Sequence, residues 1–171
     1  MGSASLVSPQ EYLTTTYRPD RELVDGLLLE RNVGQRDHSR IQSRIVNWFC
    51  ERWKILGLEP FVEHRVRVAP NRFRIPDVCA VAVPVPDEPV LTRPPYICIE
   101  VLSPEDTFPK LQDRFDDYLN MGVENVWVVD PISRRAWTIA RQGHFEALDG
   151  VLRTNDARVA LPLSDLFVEY R

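Results

Sequence analysis

Cysteine is scarce: three of the 171 residues, Cys50, Cys79 and Cys98. They form neither an even set nor a C-x-x-C pair, which excludes a disulfide scaffold and a zinc site built on cysteine pairs. Cys79 and Cys98 sit in apolar stretches, where a thiol behaves as a small hydrophobe, so reduced, structural cysteines on the cytosolic pattern are expected. Long apolar runs are also missing. "VCAVAV" and "VWVV" fall far short of the roughly 20 residues a membrane helix needs, so no membrane partner is expected. The opening "MGSASLVSPQ" has no basic start and no sustained apolar core, so it does not read as a signal peptide, and a cytoplasmic location is expected. Positive charge is short as well: 21 Lys and Arg against 25 Asp and Glu, a net of −4. Such a balance weighs against general polyanion binding, which needs positive potential. Phosphate-loop, nucleophile-elbow and zincin motifs are all absent.

Charge is unevenly spread. Residues 36–74 hold nine Arg or Lys against four acids, whereas residues 100–130 hold eight acids against Lys110 and Arg114. Two solvated faces would account for this, and so would a basic flank beside an acidic, cation-attracting centre. The chain shows no repeat and no dividing linker, and one domain over 1–171 is expected, long enough to bury about two thirds of its unfolded surface.

Local signals place the elements. Ser8-Pro9 predicts a helix from about Pro9 to Thr15. Asp25-Gly26 between apolar runs predicts a two-residue hairpin turn. Ile41, Ile45, Trp48, Phe49, Trp53 and Leu56 recur at helical spacing up to Gly57 and predict one long amphipathic helix. The four tryptophans, Trp48, Trp53, Trp127 and Trp137, read as core. "FVEHRVRVA" alternates like a half-solvated strand, while "RFRIPDVCAVAV" and "PPYICIEVLS" read as strands covered on both faces. "KLQDRFDDYLNMG" is a helix ending at Gly122, and "NVWVVDP", "RAWTIAR" and "HFEALDG" complete a sheet before a short helix at "PLSDLF". The order is that of an α/β or α+β fold with a mixed sheet, the helix after "IEVLS" crossing over to a parallel strand.

Within those apolar strands stand two carboxylates, Asp77 and Glu100. Alternation puts Cys98, Glu100 and Leu102 on one face, and if the Asp77 strand is its neighbour both acids face one cleft. Two like charges that close need a raised pKa or a cation between them. Mg2+ suits the pair, since it takes hard oxygen ligands and leaves positions for a phosphate oxygen and a water. The structural alternative has Asp77 opening a turn after Pro76 and Glu100 pairing with Arg72 or Arg74.

"RIPDVCAV", "CIEVLSPED", "YLNMGVENVWVVDP" and the upstream "EYL…ELVDGLLLERNVG…HSRIQ" together resemble the Uma-two family of bacterial endonucleases, from about Glu11 to Phe167. The resemblance implies a restriction-endonuclease-like core, a central mixed sheet flanked by helices. It also implies Mg2+- or Mn2+-dependent hydrolysis of DNA phosphodiesters in the manner of P-D…E-x-K nucleases. By that likeness Asp77 and Glu100 are metal ligands, with the Val101 carbonyl as a third. The position two residues after Glu100 is Leu102 rather than Lys. The family supplies its Lys from the following helix, four residues after an Asp, and here those two positions are Lys110 and Arg114. Lys110 would position the attacking water. Arg114 would steady the transition state, since a guanidinium stays protonated and cannot be a general base. A solvated helix face, with Arg114 pairing to Asp117, accounts for the two residues equally well.

His38, at the family's "HS" position, and Arg74 are expected to contact nucleic acid; a capping or core-edge role is the alternative for His38. His64 and His144 are expected to face solvent. Glu22 and Glu30 flank the hairpin as supporting acids or as partners of Arg21 or Arg31. A homodimer that cuts two strands is expected by analogy alone. Two rivals stand beside the nuclease: a protein that kept the fold as a binding or structural module and lost the chemistry, and a metal-free carboxylate-pair hydrolase.

Overall fold

The computed structural model describes residues 6–31 and 34–168; Asn32 and Val33 of the quoted resemblance, and the first five residues of the opening stretch, lie outside them. Ser8 caps α1 (Pro9–Thr14), its hydroxyl accepting from the Glu11 N–H at 3.1 Å. The strands β1 (Arg21–Val24) and β2 (Leu27–Glu30) form the expected antiparallel hairpin. Asp25 and Gly26 turn it with φ of 51° and 87°, the positive values a two-residue turn of this hand requires. The long helix α2 (Arg36–Leu56) stops at Gly57, whose φ of 61° lets its N–H close onto the Trp53 carbonyl.

Beyond α2 the chain departs from expectation. "FVEHRVRVA" is not one strand but β3 (Leu58–Val62) and β4 (Val66–Ala69), and "RFRIPDVCAVAV" divides into β5 (Arg72–Arg74) and β6 (Val78–Ala82). The pieces join different sheets: β3 pairs with β6, and β4 with β5. Glu63, in the left-handed region at φ 48°, breaks the first pattern. Pro76, which has no N–H to give a ladder, breaks the second. The two breaks adjoin, since the Glu63 N–H donates to the Asp77 carbonyl at 3.2 Å. Asp77 therefore stands where the chain crosses between sheets, one residue before β6.

The rest follows the reading more closely. β7 (Ile97–Val101) leads through α3 (Phe108–Met121) into β8 (Asn125–Asp130), and β7 and β8 are parallel, as a helical crossover requires. Then come β9 (Arg135–Ala140), β10 (Gly143–Glu146), a small pair β11 (Val151–Arg153) and β12 (Ala160–Pro162), and α4 (Leu163–Leu166). The central sheet runs β10-β9-β8-β7-β6-β3, and a smaller one β2-β1-β5-β4.

Helix α2 covers one face of the central sheet, with Ile41, Ile45, Trp48 and Phe49 against Val78, Ala80, Ile97, Ile99 and Val101. Helix α3 covers the other, with Leu111, Phe115 and Tyr118 against Cys79, Val81, Cys98, Val126 and Val128. Burial on both faces explains why β6, β7 and β8 are apolar without alternation. Cys79 and Cys98 face each other across β6 and β7 as free, buried thiols. Trp48 and Trp127 are buried, but Trp53 is 44% exposed, so the expectation that it belongs to the core is corrected. No helix among the described residues is long and apolar enough to cross a membrane.

Candidate active site

The β6–β7 ladder pairs Val78 with Ile99 and Cys79 with Cys98. One step further toward the end of the sheet, the same register sets Asp77 opposite Glu100, and directly opposed residues of antiparallel strands share a face. Both line one cleft of about 140 Å³ with Arg31, His38, Lys110 and Arg114. A wider hollow of about 470 Å³ beside Arg40, Arg44 and the Pro131–Ile132 turn is lined by one carboxylate, Asp37, rather than a pair, so the smaller cleft is the candidate site.

Each carboxylate has its own arginine. Asp77 is 5% exposed; its Oδ1 accepts from Arg31 at 2.8 Å, and its Oδ2 accepts from the Val101 N–H at 2.8 Å and lies 3.2 Å from His38 Nε2. Glu100 is 2% exposed; its Oε1 accepts from the Tyr118 hydroxyl at 2.6 Å and its Oε2 from Arg114 Nη1 at 2.9 Å. Val101 thus meets the site through its N–H.

Arg114 joins these groups to a buried chain of alternating charge. Its Nη2 is 3.3 Å from Glu22 Oε2, which also accepts from Arg74 at 2.9 Å. Arg74 Nε donates to Asp117 at 2.7 Å, and Asp117 accepts from Arg72 at 2.9 Å. The anticipated pairing of Arg114 with Asp117, and of Glu100 with Arg72 or Arg74, is replaced by this arrangement. Arg74 is 4% exposed and held at both ends, so its placement corrects the expectation that it contacts nucleic acid. The strand was read as continuous through Ile75 and Pro76, and the break between β5 and β6 turns Arg74 inward. Lys110 lines the cleft, with Nζ donating to the Glu105 carbonyl at 2.8 Å. Glu30 pairs with Arg21 at 2.7 Å, one of its two anticipated roles. His144 is exposed and stacks on Phe108, whereas His64 is half-buried beside Phe61, so the solvent-facing expectation is corrected for His64.

Burial and partners set the protonation of the site. Glu100 is pushed up to about 7, first by burial, which the Arg114 charge opposes, and then by the negative charge of Asp77. For Asp77 burial also acts upward, but the hydrogen bond and charge of His38, then Arg31 and the Val101 N–H, prevail and hold it below the usual carboxylate range. Burial would lower His38, yet its hydrogen bond to Asp77 and that carboxylate's charge hold it above its ordinary value. His38 Nδ1 is buried without a hydrogen-bond partner.

Does this site suit a hard divalent ion? Asp77 Oδ1 and both Glu100 oxygens each accept one hydrogen bond, and a carboxylate oxygen has two acceptor positions. Three hard oxygen positions therefore remain, on carboxylates whose charge Arg31 and Arg114 already oppose. The donor chemistry fits, while the obstacle is positive charge already in place. Among the described residues, no group of three or more His, Cys, Asp and Glu is arranged as a metal cage, so any such ion would rest on two carboxylates and water, as Mg2+ commonly does.

The sequence reading missed Arg31 as a member of the site, since a loop arginine beside Asn32 carries no periodic signal. Tyr118 shares the apolar face of α3 with Leu111 and Phe115, so its spacing alone marks it as core. Its position one helical turn after Arg114 was the available sign that both reach Glu100.

A crystal structure of "a putative nuclease belonging to DUF820" from Anabaena variabilis ATCC 29413 superposes with a TM-score of 0.79 at 22% identity, covering 94% of this chain and 97% of that one. At that identity the likeness establishes the fold: a mixed central sheet between helices. A search of curated proteins finds no match. The family model described as "Putative restriction endonuclease" matches residues 9–166, and on that span, which takes in Asp77, Glu100 and the whole of α3, the chain belongs to the Uma2 family.

Proposed function

We propose that the protein hydrolyses DNA phosphodiesters at the Asp77–Glu100 cleft with Mg2+ or Mn2+. The observation that carries this reading is the juxtaposition of two buried carboxylates, Asp77 just before β6 and Glu100 in β7, in the lining of one cleft. Asp77 and Glu100 would hold the ion, with the Val101 carbonyl as a further oxygen; when bound, the ion would supply Lewis acidity to the phosphodiester and an ionised water. Lys110, whose Nζ donates to the Glu105 carbonyl at 2.8 Å, lines the cleft and would swing toward a water there. Arg114 stays charged and faces developing negative charge on the phosphate. His38, fixed through Nε2 by Asp77, keeps Nδ1 for a proton. Two copies acting together would cut both strands.

Supercoiled plasmid incubated with the protein and Mg2+ or Mn2+ should be nicked, and the product should vanish with EDTA and with Asp77→Asn. Cleavage that survives chelation would instead support the metal-free carboxylate hydrolase. A second reading is favoured by a specific observation, the arginine held by each carboxylate: a nucleic-acid-binding module in which guanidinium groups have replaced the ion. Calorimetric titration with Mn2+ in the presence of duplex DNA separates the two, since that module would give no carboxylate-dependent heat.

A further inference from the structure

Arg31 and Arg114 differ from the buried Arg74 in one respect. Both line the cleft, with side chains 11% and 19% exposed, whereas Arg74 is 5% exposed and lies outside it. They are thus in reach of a ligand in the cleft while holding the two carboxylates that a divalent ion would need.

Both carboxylates already hold a cation: Asp77 is 2.8 Å from Arg31, and Glu100 is 2.9 Å from Arg114. An ion entering alone would bring two positive charges up against those two guanidinium groups in a poorly solvated site, where Coulomb repulsion is weakly screened. A phosphodiester changes that balance twice over. It brings negative charge, and it offers the planar guanidinium fork an acceptor as good as a carboxylate. Arg31 is the easier to move: one guanidinium nitrogen holds Asp77 at 2.8 Å, and another is 3.5 Å from the half-exposed Glu63.

We propose that Arg31 and Arg114 are built-in counter-cations that keep Asp77 and Glu100 closed to a divalent ion until a nucleic-acid phosphate draws the guanidinium groups away. The inference rests on the metal-dependent reading above and adds an order to it: nucleic acid first, ion second. Phosphate and ion then bind with positive coupling, and linkage requires the effect to be mutual. Arg31 becomes a positioning residue that exchanges one anion for another.

The test is binding, not cleavage. Mn2+ binding to the full chain is followed by electron paramagnetic resonance, with and without a short duplex of phosphorothioate backbone that resists hydrolysis. Asp77→Asn with the same duplex is the blank for ions held by DNA. Coupling should tighten Mn2+ about tenfold or more when duplex is present. Arg31→Gln should raise Mn2+ affinity without duplex by a similar factor and shrink the duplex effect, with circular dichroism and melting confirming that the variant is folded. Equal Mn2+ affinity of the wild type with and without duplex would overturn the ordering and leave the metal-dependent reading standing. So would a folded Arg31→Gln variant whose duplex-free affinity is unchanged. Absence of Mn2+ binding above the blank in every form, duplex included, would overturn both.

Discussion

Replacing Glu100 by Gln should make the protein more stable relative to wild type as pH rises. Glu100 titrates at about 7 in the fold against an ordinary value of 4.5. Below pH 4.5 the side chain is protonated in both folded and unfolded chains and contributes nothing to the difference. Between the two values the unfolded chain has released its proton and the folded one retains it, so stability falls as pH rises through this window. Above pH 7 the full cost of an ionised buried carboxylate stands, about 3 kcal/mol at roughly 1.4 kcal/mol per pH unit. Gln carries no charge at any pH, and its carbonyl still accepts the Tyr118 hydroxyl. Loss of the Arg114 attraction shifts the variant's stability at neutral pH but does not restore a titration at position 100. Urea unfolding in EDTA, at intervals from pH 4 to 8, yields ΔG for both proteins with m as the check on two-state behaviour. The variant-minus-wild-type difference should climb by about 3 kcal/mol across that range, most of it between pH 5 and 7. Parallel curves would refute the claim that burial and Asp77 outweigh Arg114 at this carboxyl.

Two further outcomes concern the Asp77–His38 contact. In wild type the His38 imidazole, followed by NMR, should titrate above its ordinary 6.5, and in Asp77→Asn it should move down, because burial and Arg31 then meet only the weaker pull of Glu100; an unmoved midpoint would show that Asp77 does not set it. The same shift bears on stability: the raised His38 pKa contributes stability below 6.5 that is lost as pH climbs through its folded value. Gly34→Ala should disturb the pair from outside, since a Cβ there would lie 2.8 Å from His38 Nδ1. We expect a loss of about 1–3 kcal/mol on thermal unfolding, the usual cost of overpacking, with a downward move of the His38 midpoint; unchanged Tm and titration would mean that the loop shifts without strain.

Much of this site was legible because it depends on local periodicity. Helical spacing located α2 and α3, the Asp25-Gly26 pair located the hairpin, and a period of two sufficed to put Glu100 on the face that α3 covers. What alternation along a strand does not report is which sheet the strand joins. Hence "FVEHRVRVA" and "RFRIPDVCAVAV" each read as one strand, although Glu63 and Pro76 divide them between two sheets. The same omission misplaced Arg74, whose direction is set by β5 in the smaller sheet. Arg31 was invisible for a different reason: its contact with Asp77 spans 46 positions, and nothing in its neighbourhood marks it as buried.

The position where the family resemblance implies Lys is occupied by Arg114, and the geometry gives that change a physical reason. One guanidinium nitrogen of Arg114 holds Glu100 and the other approaches Glu22, a hairpin residue 1% exposed. An ammonium is a single point of charge and serves two separated carboxylates poorly, whereas a planar fork presents donors to both. Glu22 in turn shares its Oε2 with Arg74 and takes the Ile75 N–H on Oε1, so the smaller sheet is fixed to β7 and α3 through buried charges. Removing one member of such a chain leaves an unpaired buried charge, at a cost of about 3–5 kcal/mol. Arg114 therefore ties the hairpin to the Glu100 end of β7. The same contact sets a positive charge against Glu100, so what secures the fold here is also what a divalent ion, on the proposed reading, would have to displace.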